Sequence, residues 1–180
     1  MIKVELQWFS LGPVKILYEA LKPEDYYKNP LLPKQFKNYG VYMYLDKGTG
    51  KARYIGQAFN RKLCPLGYRV RWEITKDGNG CAESVFFKKC KKYNVDRFDL
   101  ILKVANITKS KRDNVDVEVD DKMMNAIERA LIFERVQAGD PLMNETGKKR
   151  YRLEPIEIIN IGDFSPLQAN IVEPKPYQKL

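Results

Sequence analysis

The chain has 180 residues, of which 44% are hydrophobic, 12% aromatic and 31% charged. This composition excludes a disordered chain and is typical of one folded domain with extensions. The 32 basic and 23 acidic residues give a net charge of +9, which favours an anionic partner such as nucleic acid over a merely lysine-rich surface.

Histidine is absent, which excludes Ser-His and Cys-His catalysis, histidine-dependent nucleases and zinc fingers with histidine ligands. The three cysteines, Cys64, Cys81 and Cys90, are odd in number and scattered, so we expect reduced thiols in a cytoplasmic protein. No apolar run approaches the ~18 residues of a membrane span, and no signal-peptide pattern is present. Any catalysis must therefore use Tyr, Lys, Arg, Asp or Glu.

Residues 1–37 are predicted to be an N-terminal extension, with a short strand in IKVELQWF and a proline-rich loop in KPEDYYKNPLLPKQ. The first ten residues, MIKVELQWFS, also resemble the short removable leader of a bacterial ribosomal protein and of some phage capsid proteins. An ordinary first strand is the interpretation that we prefer.

A β-hairpin is predicted at 40–56, where GVYMYL and ARYIG flank the glycine-containing turn DKGTGK. In the first strand Val41 and Met43 face one side, whereas Tyr42 and Tyr44 face the other. The pairing of Tyr42 with Tyr54 on the neighbouring strand can be explained by cross-strand aromatic packing alone.

Two basic helices are predicted next, at 66–75 and 83–94, and the second has lysines along one side. The run FDLILKVA at 98–105 is the third predicted strand. The segment 106–119 is highly charged, and we expect it to be a connector without regular structure.

The strongest helix prediction is DDKMMNAIERALIFERVQAG at 120–139, which begins with aspartates that complement the helix dipole. Its apolar stripe includes Glu128, which at about 100° per residue lies between Met124 and Leu131. A carboxylate in this setting is costly unless it is paired or binds a metal. The alternative is a glutamate that reaches the surface or bridges to Arg135.

The element order is β-β-α-α-β-α between two extensions. It predicts an α/β (α+β) domain at 38–146, with a small three-stranded mixed or antiparallel sheet and helices around it. Residues 147–180 are predicted to be a C-terminal strand, within LEPIEIINI, and a trailing arm.

Five elements of the chain, taken in order, resemble the GIY-YIG nuclease superfamily. They are the two tripeptides of the hairpin, an arginine in the next helix, a glutamate ahead of a Leu-Ile pair and a closing P-x-x-N: Gly40-Val41-Tyr42, Tyr54-Ile55-Gly56, Arg69-Val70, Glu128 with Leu131-Ile132, and Pro141 with Asn144. The resemblance covers about residues 38–146. It departs from the family at Gln57, where a positive charge is more frequent, and at Glu73, where His or Tyr is common.

The resemblance implies hydrolysis of DNA phosphodiester bonds with one Mg²⁺ ion, for which Mn²⁺ can substitute, to give 5′-phosphate and 3′-hydroxyl ends. Glu128 would be the metal ligand, and Arg69 would hold a non-bridging phosphate oxygen. Tyr54 would act as general base or position the attacking water, and Tyr42 would support it. Nearby cations would have to lower the pKa of Tyr54 for it to act as a base. Asn144 would hydrogen-bond and orient the site.

Basic and polar side chains around this site are expected to contact the DNA backbone. These candidates are Gln57, Asn60, Arg61, Lys62, Arg71, Lys88, Lys89, Lys92, Lys148, Lys149 and Arg150. An exposed, solvated face is the alternative for the lysine clusters.

The expected protein is a site-specific endonuclease of double-stranded DNA, of the restriction type, because no separate DNA-binding module is visible. Restriction enzymes often act as dimers on palindromes, so a homodimer is a further expected assembly. The alternatives are a phage or mobile-element homing nuclease, a structure-specific repair nuclease, and an inactive nucleic-acid-binding module with the same fold.

Overall fold

The computed structural model describes residues 1–21, 39–59, 66–76, 83–145 and 155–173. Within these ranges the chain forms seven strands and four α-helices, with a 3-10 turn at Arg97–Asp99. The strands are β1 (Ile2–Pro13), β2 (Gly40–Asp46), β3 (Ala52–Ala58), β4 (Leu100–Arg112), β5 (Val115–Asp116), β6 (Ile156–Gly162) and β7 (Asn170–Glu173). The helices are α1 (Val14–Leu21), α2 (Leu66–Thr75), α3 (Val85–Lys92) and α4 (Asp121–Gln137).

All seven strands belong to one mixed, curled sheet with the order β3-β2-β4-β1-β6-β7, in which β5 pairs with β4. β1 and β6 run parallel, whereas the other paired strands are antiparallel. The prediction of a small three-stranded sheet is therefore wrong. The three strands on which it depended, β2, β3 and β4, do form, but they are less than half of the sheet of this α+β fold.

The strand that enlarges the sheet is β1, which lies between β4 and β6. Its sequence alternates, so that Ile2, Val4, Leu6 and Trp8 are buried while the residues between them are partly exposed. The indole Nε1 of Trp8 donates a hydrogen bond to Oδ1 of Asn160 at 2.8 Å, which ties β1 to β6 through buried side chains. Both sequence extensions therefore contribute strands to the same sheet as the central hairpin.

The segment predicted to be an irregular connector, 106–119, is largely strand. β4 continues to Arg112 and pairs with β1 over most of its length. The turn into β5 is formed by Asp113 and Asn114, whose φ angles of 50° and 66° are those of a tight two-residue hairpin turn. Residues 106–112 of β4 are partly or fully exposed, which explains why this part of the strand has no continuous apolar pattern.

Two apolar clusters lie on opposite faces of the sheet. Val41 and Met43 of β2 pack on the face that α4 covers, and Tyr42 and Tyr44 pack on the face that α1, α2 and α3 cover. The predicted alternation of β2 is thereby confirmed, although the tyrosines are as deeply buried as the apolar residues. β2 is consequently an interior strand whose side chains point alternately into the two apolar clusters.

Helix α4 lies inside the range predicted for it. The carboxylate of Asp120 accepts a hydrogen bond from the Met123 backbone N–H at 2.7 Å, which caps the first turn. Gly139 follows the last turn with a φ of +78°, a conformation that favours glycine. The Asp120 cap and Gly139 together determine where α4 begins and ends, and so which of its residues face the sheet.

In the described ranges, no helix has the length and apolar character needed to cross a membrane. Cys90 is a buried free thiol, and burial raises its pKa to about 12. Cys64 and Cys81 lie outside the described residues.

Candidate active site

The hairpin of β2 and β3 brings the two motif glycines into close contact with their neighbours. Tyr42 lies opposite Gly56 in the strand register, and a Cβ at Gly56 would lie only 2.5 Å from Cζ and Oη of Tyr42. A Cβ at Gly40 would lie 2.2 Å from the carbonyl oxygen of Ala105 on β4. The first glycine therefore allows close approach of β4, and the second allows the Tyr42 ring to lie across β3.

The tyrosines of the hairpin form an aromatic cluster with α3. Tyr44 stacks on Phe86 with a ring separation of 3.9 Å, and Tyr54 lies 6.3 Å from both Tyr42 and Tyr44. Lys89 of α3 donates to the carbonyl oxygen of Met143 and lies 5.9 Å above the Tyr54 ring. Aromatic packing therefore accounts for the positions of all three rings. Tyr54 hydrogen-bonds to Tyr42, and the Tyr42 hydroxyl in turn contacts two charged side chains.

Helix α2 carries two charged residues that meet Tyr42. Arg69 and Glu73 are four residues apart, and Nη2 of Arg69 lies 2.7 Å from Oε1 of Glu73. The Tyr42 hydroxyl donates to the same oxygen at 3.2 Å and accepts from Nε of Arg69 at 3.3 Å. Glu73 is 0% exposed, whereas the Arg69 side chain is 33% exposed. The three groups contact one another in a triangle, in which the Glu73 carboxylate lies in the protein interior and the Arg69 guanidinium reaches the surface.

Glu73 is the member of this triangle whose role the sequence did not indicate. It lies in a strongly basic segment and stands where the resembled family has His or Tyr, and only the i, i+4 spacing from Arg69 pointed to a pairing. The other carboxylate oxygen, Oε2, is buried with no hydrogen-bond partner among the described residues. Burial raises the pKa of Glu73 to about 7, against the opposing effect of Arg69.

The tyrosine hydroxyls are protonated groups at neutral pH. Burial raises the pKa of Tyr42 well above its ordinary value, and Glu73 raises it further. Burial also raises the pKa of Tyr54, with further contributions from Glu73 and Glu128, while Arg69 lowers it. The effect of Arg69, the cationic neighbour that lowers the pKa of Tyr54, is therefore outweighed by burial and by the two carboxylates.

Glu128 lies on α4, on the other side of the sheet edge formed by β3. The Gln57 side chain of β3 donates from Nε2 to Oδ1 of Asn125 at 3.0 Å and also hydrogen-bonds to Glu128. Burial raises the pKa of Glu128 to about 7, while Arg129 and Arg69 lower it. The guanidinium of Arg69, which α2 carries, therefore interacts electrostatically with the Glu128 carboxylate.

The predicted alternative for Glu128, an ion pair with Arg135, is not formed. Arg135 instead contacts Glu134 and Asp140. Glu128 is half-buried beside Gln57, so its carboxylate is available to a ligand in a way that the buried carboxylate of Glu134 is not.

Asn144 fixes the outer edge of β3. Its Oδ1 accepts from the backbone N–H of Ile55 at 3.0 Å, and its Nδ2 donates to the Ile55 carbonyl at 2.7 Å. The backbone N–H of Met143 donates to the carbonyl oxygen of Arg53 at 2.6 Å. The amide of Asn144 thus acts as a strand residue and holds Ile55, which lies between Tyr54 and Gly56.

The predicted DNA contacts have different surroundings. On α3, Lys92 pairs with Glu145, and Lys89 faces the aromatic cluster, whereas Lys88 is exposed. Arg71 is half-buried on α2. The remaining six basic or polar candidates lie outside the described residues, namely Asn60, Arg61, Lys62, Lys148, Lys149 and Arg150.

Comparison with known proteins adds no assignment to this geometry. No protein-family model, no curated protein and no solved structure matches the chain. The chemistry of the site therefore has to be inferred from its own residues.

Proposed function

We propose that the protein is a divalent-metal-dependent endonuclease that hydrolyses the phosphodiester bonds of double-stranded DNA to 5′-phosphate and 3′-hydroxyl ends. The observation that carries this proposal is the electrostatic link between residues of four elements. Arg69 of α2 hydrogen-bonds to Tyr42 of β2 and lowers the pKa of Glu128 of α4, which in turn raises that of Tyr54 of β3. A cationic phosphate anchor beside an anionic metal ligand is what phosphodiester hydrolysis requires.

Arg69 is the phosphate-binding group of the proposal. Its Nη2 and Nε are engaged by Glu73 and Tyr42, and among the described residues no atom accepts a hydrogen bond from Nη1. Because the side chain is partly exposed, Nη1 can donate to a non-bridging oxygen of the scissile phosphate.

Tyr54 orients the attacking water as a neutral phenol. A phenol hydroxyl accepts one hydrogen bond and donates another, so it can hold a water without losing its own proton. Its ring is fixed by Tyr42, Tyr44 and Phe86, which limits the directions that the hydroxyl can take. The contribution expected of Tyr54 is thus positioning of the nucleophile.

The residues around Glu128 fit a hydrated Mg²⁺ ion. The Gln57 amide hydrogen-bonds to the Glu128 carboxylate and so limits its orientation, and Glu128 is the oxygen ligand that this site offers. A single carboxylate suits an ion that keeps several waters. In the described part of the chain no group of three or more His, Cys, Asp or Glu side chains forms a tighter cage. When bound, the ion would stabilise the leaving 3′ oxygen as a Lewis acid.

Within this function, restriction-type cleavage of a specific sequence by a homodimer is the form that we favour, with homing and structure-specific repair nucleases as alternatives. One observation favours the second candidate, an inactive nucleic-acid-binding module. It is the raised pKa of Tyr54, which works against proton abstraction.

The test is incubation of the protein with plasmid and phage DNA and Mg²⁺ or Mn²⁺, followed by sequencing of the ends. Recurrent ends with 5′-phosphates are expected, and Glu128→Gln should slow cleavage by about 10²-fold or more while DNA binding persists. Glu134→Gln is the matched control, because Glu134 lies on the same helix but contacts Arg135. Binding without cleavage by the unaltered protein would favour the inactive module, and cleavage confined to branched DNA would refute the restriction role.

A further inference from the structure

The contacts of the Glu73 carboxylate differ from those of a surface ion pair and from those of an apolar core residue. It is completely buried, and a single oxygen, Oε1, receives both the Tyr42 hydroxyl and Nη2 of Arg69. Removing one partner of a buried ion pair is unfavourable, so Arg69 is held firmly although it is partly exposed. A firmly held arginine near the surface is typical of an anion-binding site rather than of a solvated charge.

We propose that Glu73 is a positioning residue, which together with Tyr42 holds Nε and Nη2 of Arg69 and leaves Nη1 for an anionic oxygen. The catalytic consequence depends on the proposed nuclease function, but the restraint of Arg69 does not. Both bonds need only an acceptor oxygen with two lone pairs, which a glutamine also provides. The role therefore requires the oxygen of Glu73 and not its ability to take up a proton.

The direct test measures the motion of the Arg69 side chain by NMR, from the ¹H–¹⁵N heteronuclear NOE of its Nε–Hε group. Arg69 should be rigid in the unaltered protein and in Glu73→Gln, and it should become as mobile as a surface arginine in Glu73→Leu. Leucine keeps the side chain's approximate volume, and the released guanidinium of Arg69 can reach water because its side chain is 33% exposed. The signal of Arg135, which is buried and contacts both Glu134 and Asp140, serves as the internal reference, and Glu134→Leu is the matched control that should leave Arg69 rigid.

Equal rigidity of Arg69 in Glu73→Leu and in the unaltered protein would overturn the proposal. If Glu73→Leu does not fold, Tyr42→Phe takes its place, because it removes the bond to Nε while keeping the ion pair, and unchanged motion there would also count against the proposal. This measurement needs neither DNA nor metal, so it remains decisive even if the protein does not cleave DNA.

Where cleavage is observed, the kinetics separate positioning from proton transfer. Glu73→Gln should keep kcat/KM within about threefold, whereas Glu73→Leu should lower it by roughly 10²-fold, as expected when a phosphate clamp is misplaced. Equal losses in the two variants would show that the acceptor oxygen alone is not sufficient and would refute the positioning role as proposed.

Discussion

Replacement of Gly56 by alanine tests the close packing on which the site depends. The new Cβ would lie 2.5 Å from Cζ and Oη of Tyr42, about 1 Å inside ordinary contact. The Tyr42 ring is 1% exposed and cannot move outward. Overpacking costs about 1–3 kcal/mol, and displacement of the hydroxyl would weaken its bonds to Glu73 and Arg69, at about 1 kcal/mol each. We therefore expect Gly56→Ala to lower the free energy of unfolding by about 2–4 kcal/mol.

The assay is urea denaturation followed by circular dichroism, with Gly48→Ala as the matched control. Gly48 lies in the turn of the same hairpin, and a Cβ there would meet only Oδ1 of Asp46 at 3.5 Å, an ordinary contact. The control should change the free energy of unfolding by less than about 0.5 kcal/mol. A Gly56→Ala protein as stable as the control would refute the argument that the second motif glycine is required by the Tyr42 ring.

Three further predictions concern the edge of β3, the buried carboxylates and the first strand. Asn144→Ala removes both side-chain bonds to Ile55 and should lower the free energy of unfolding by about 2–3 kcal/mol in urea, with faster hydrogen exchange at the Ile55 amide; unchanged exchange would contradict it. Because the pKa values of Glu73 and Glu128 are raised to about 7 in the folded protein, the stability they favour is present at low pH and is lost as the pH rises from about 4.5 through 7. Urea titrations over this range should show a falling stability whose slope is smaller in Glu73→Gln, and a slope identical in both proteins would count against the burial of that carboxylate. Removal of residues 1–10 takes away most of β1 from between β4 and β6, so the shortened protein should lack a cooperative thermal transition; a well-folded shortened protein would instead support a removable leader.

Local signals predicted the parts of the fold that depend on local interactions. The alternation in GVYMYL, the turn glycines and the Asp120 cap are properties of neighbouring residues, and the hairpin and α4 were accordingly foreseen. The pairing of β1 with β4 joins residues about a hundred positions apart, as in Ile2 with Arg112. Alternation in IKVELQWF predicts a strand but carries no information about its partners, so the sheet was underestimated.

The candidate site was predictable to a similar degree. The spacing of Tyr42, Tyr54, Arg69 and Glu128 could be read from the sequence, because each residue has its place in a motif order. Glu73 could not be recognised as a buried group, since its burial is produced by β2 and α3, which pack over α2. Lys89 was predicted to contact DNA because its helix is rich in lysine; the structure places its ammonium 5.9 Å above the Tyr54 ring, and the DNA contact stays a prediction.

The hydrogen bonds of the Asn144 side chain to the Ile55 backbone also determine at which edge the sheet can accept a further strand. The outer edge of β3 is occupied by bonds from Asp140, Met143 and Asn144, so no backbone from another molecule can add there without displacing them. At the opposite end, β7 pairs only with β6 among the described residues. Association of two copies by strand addition would therefore begin at β7, five strands away from Tyr54, and would leave the sheet edge that carries the proposed active site uncovered.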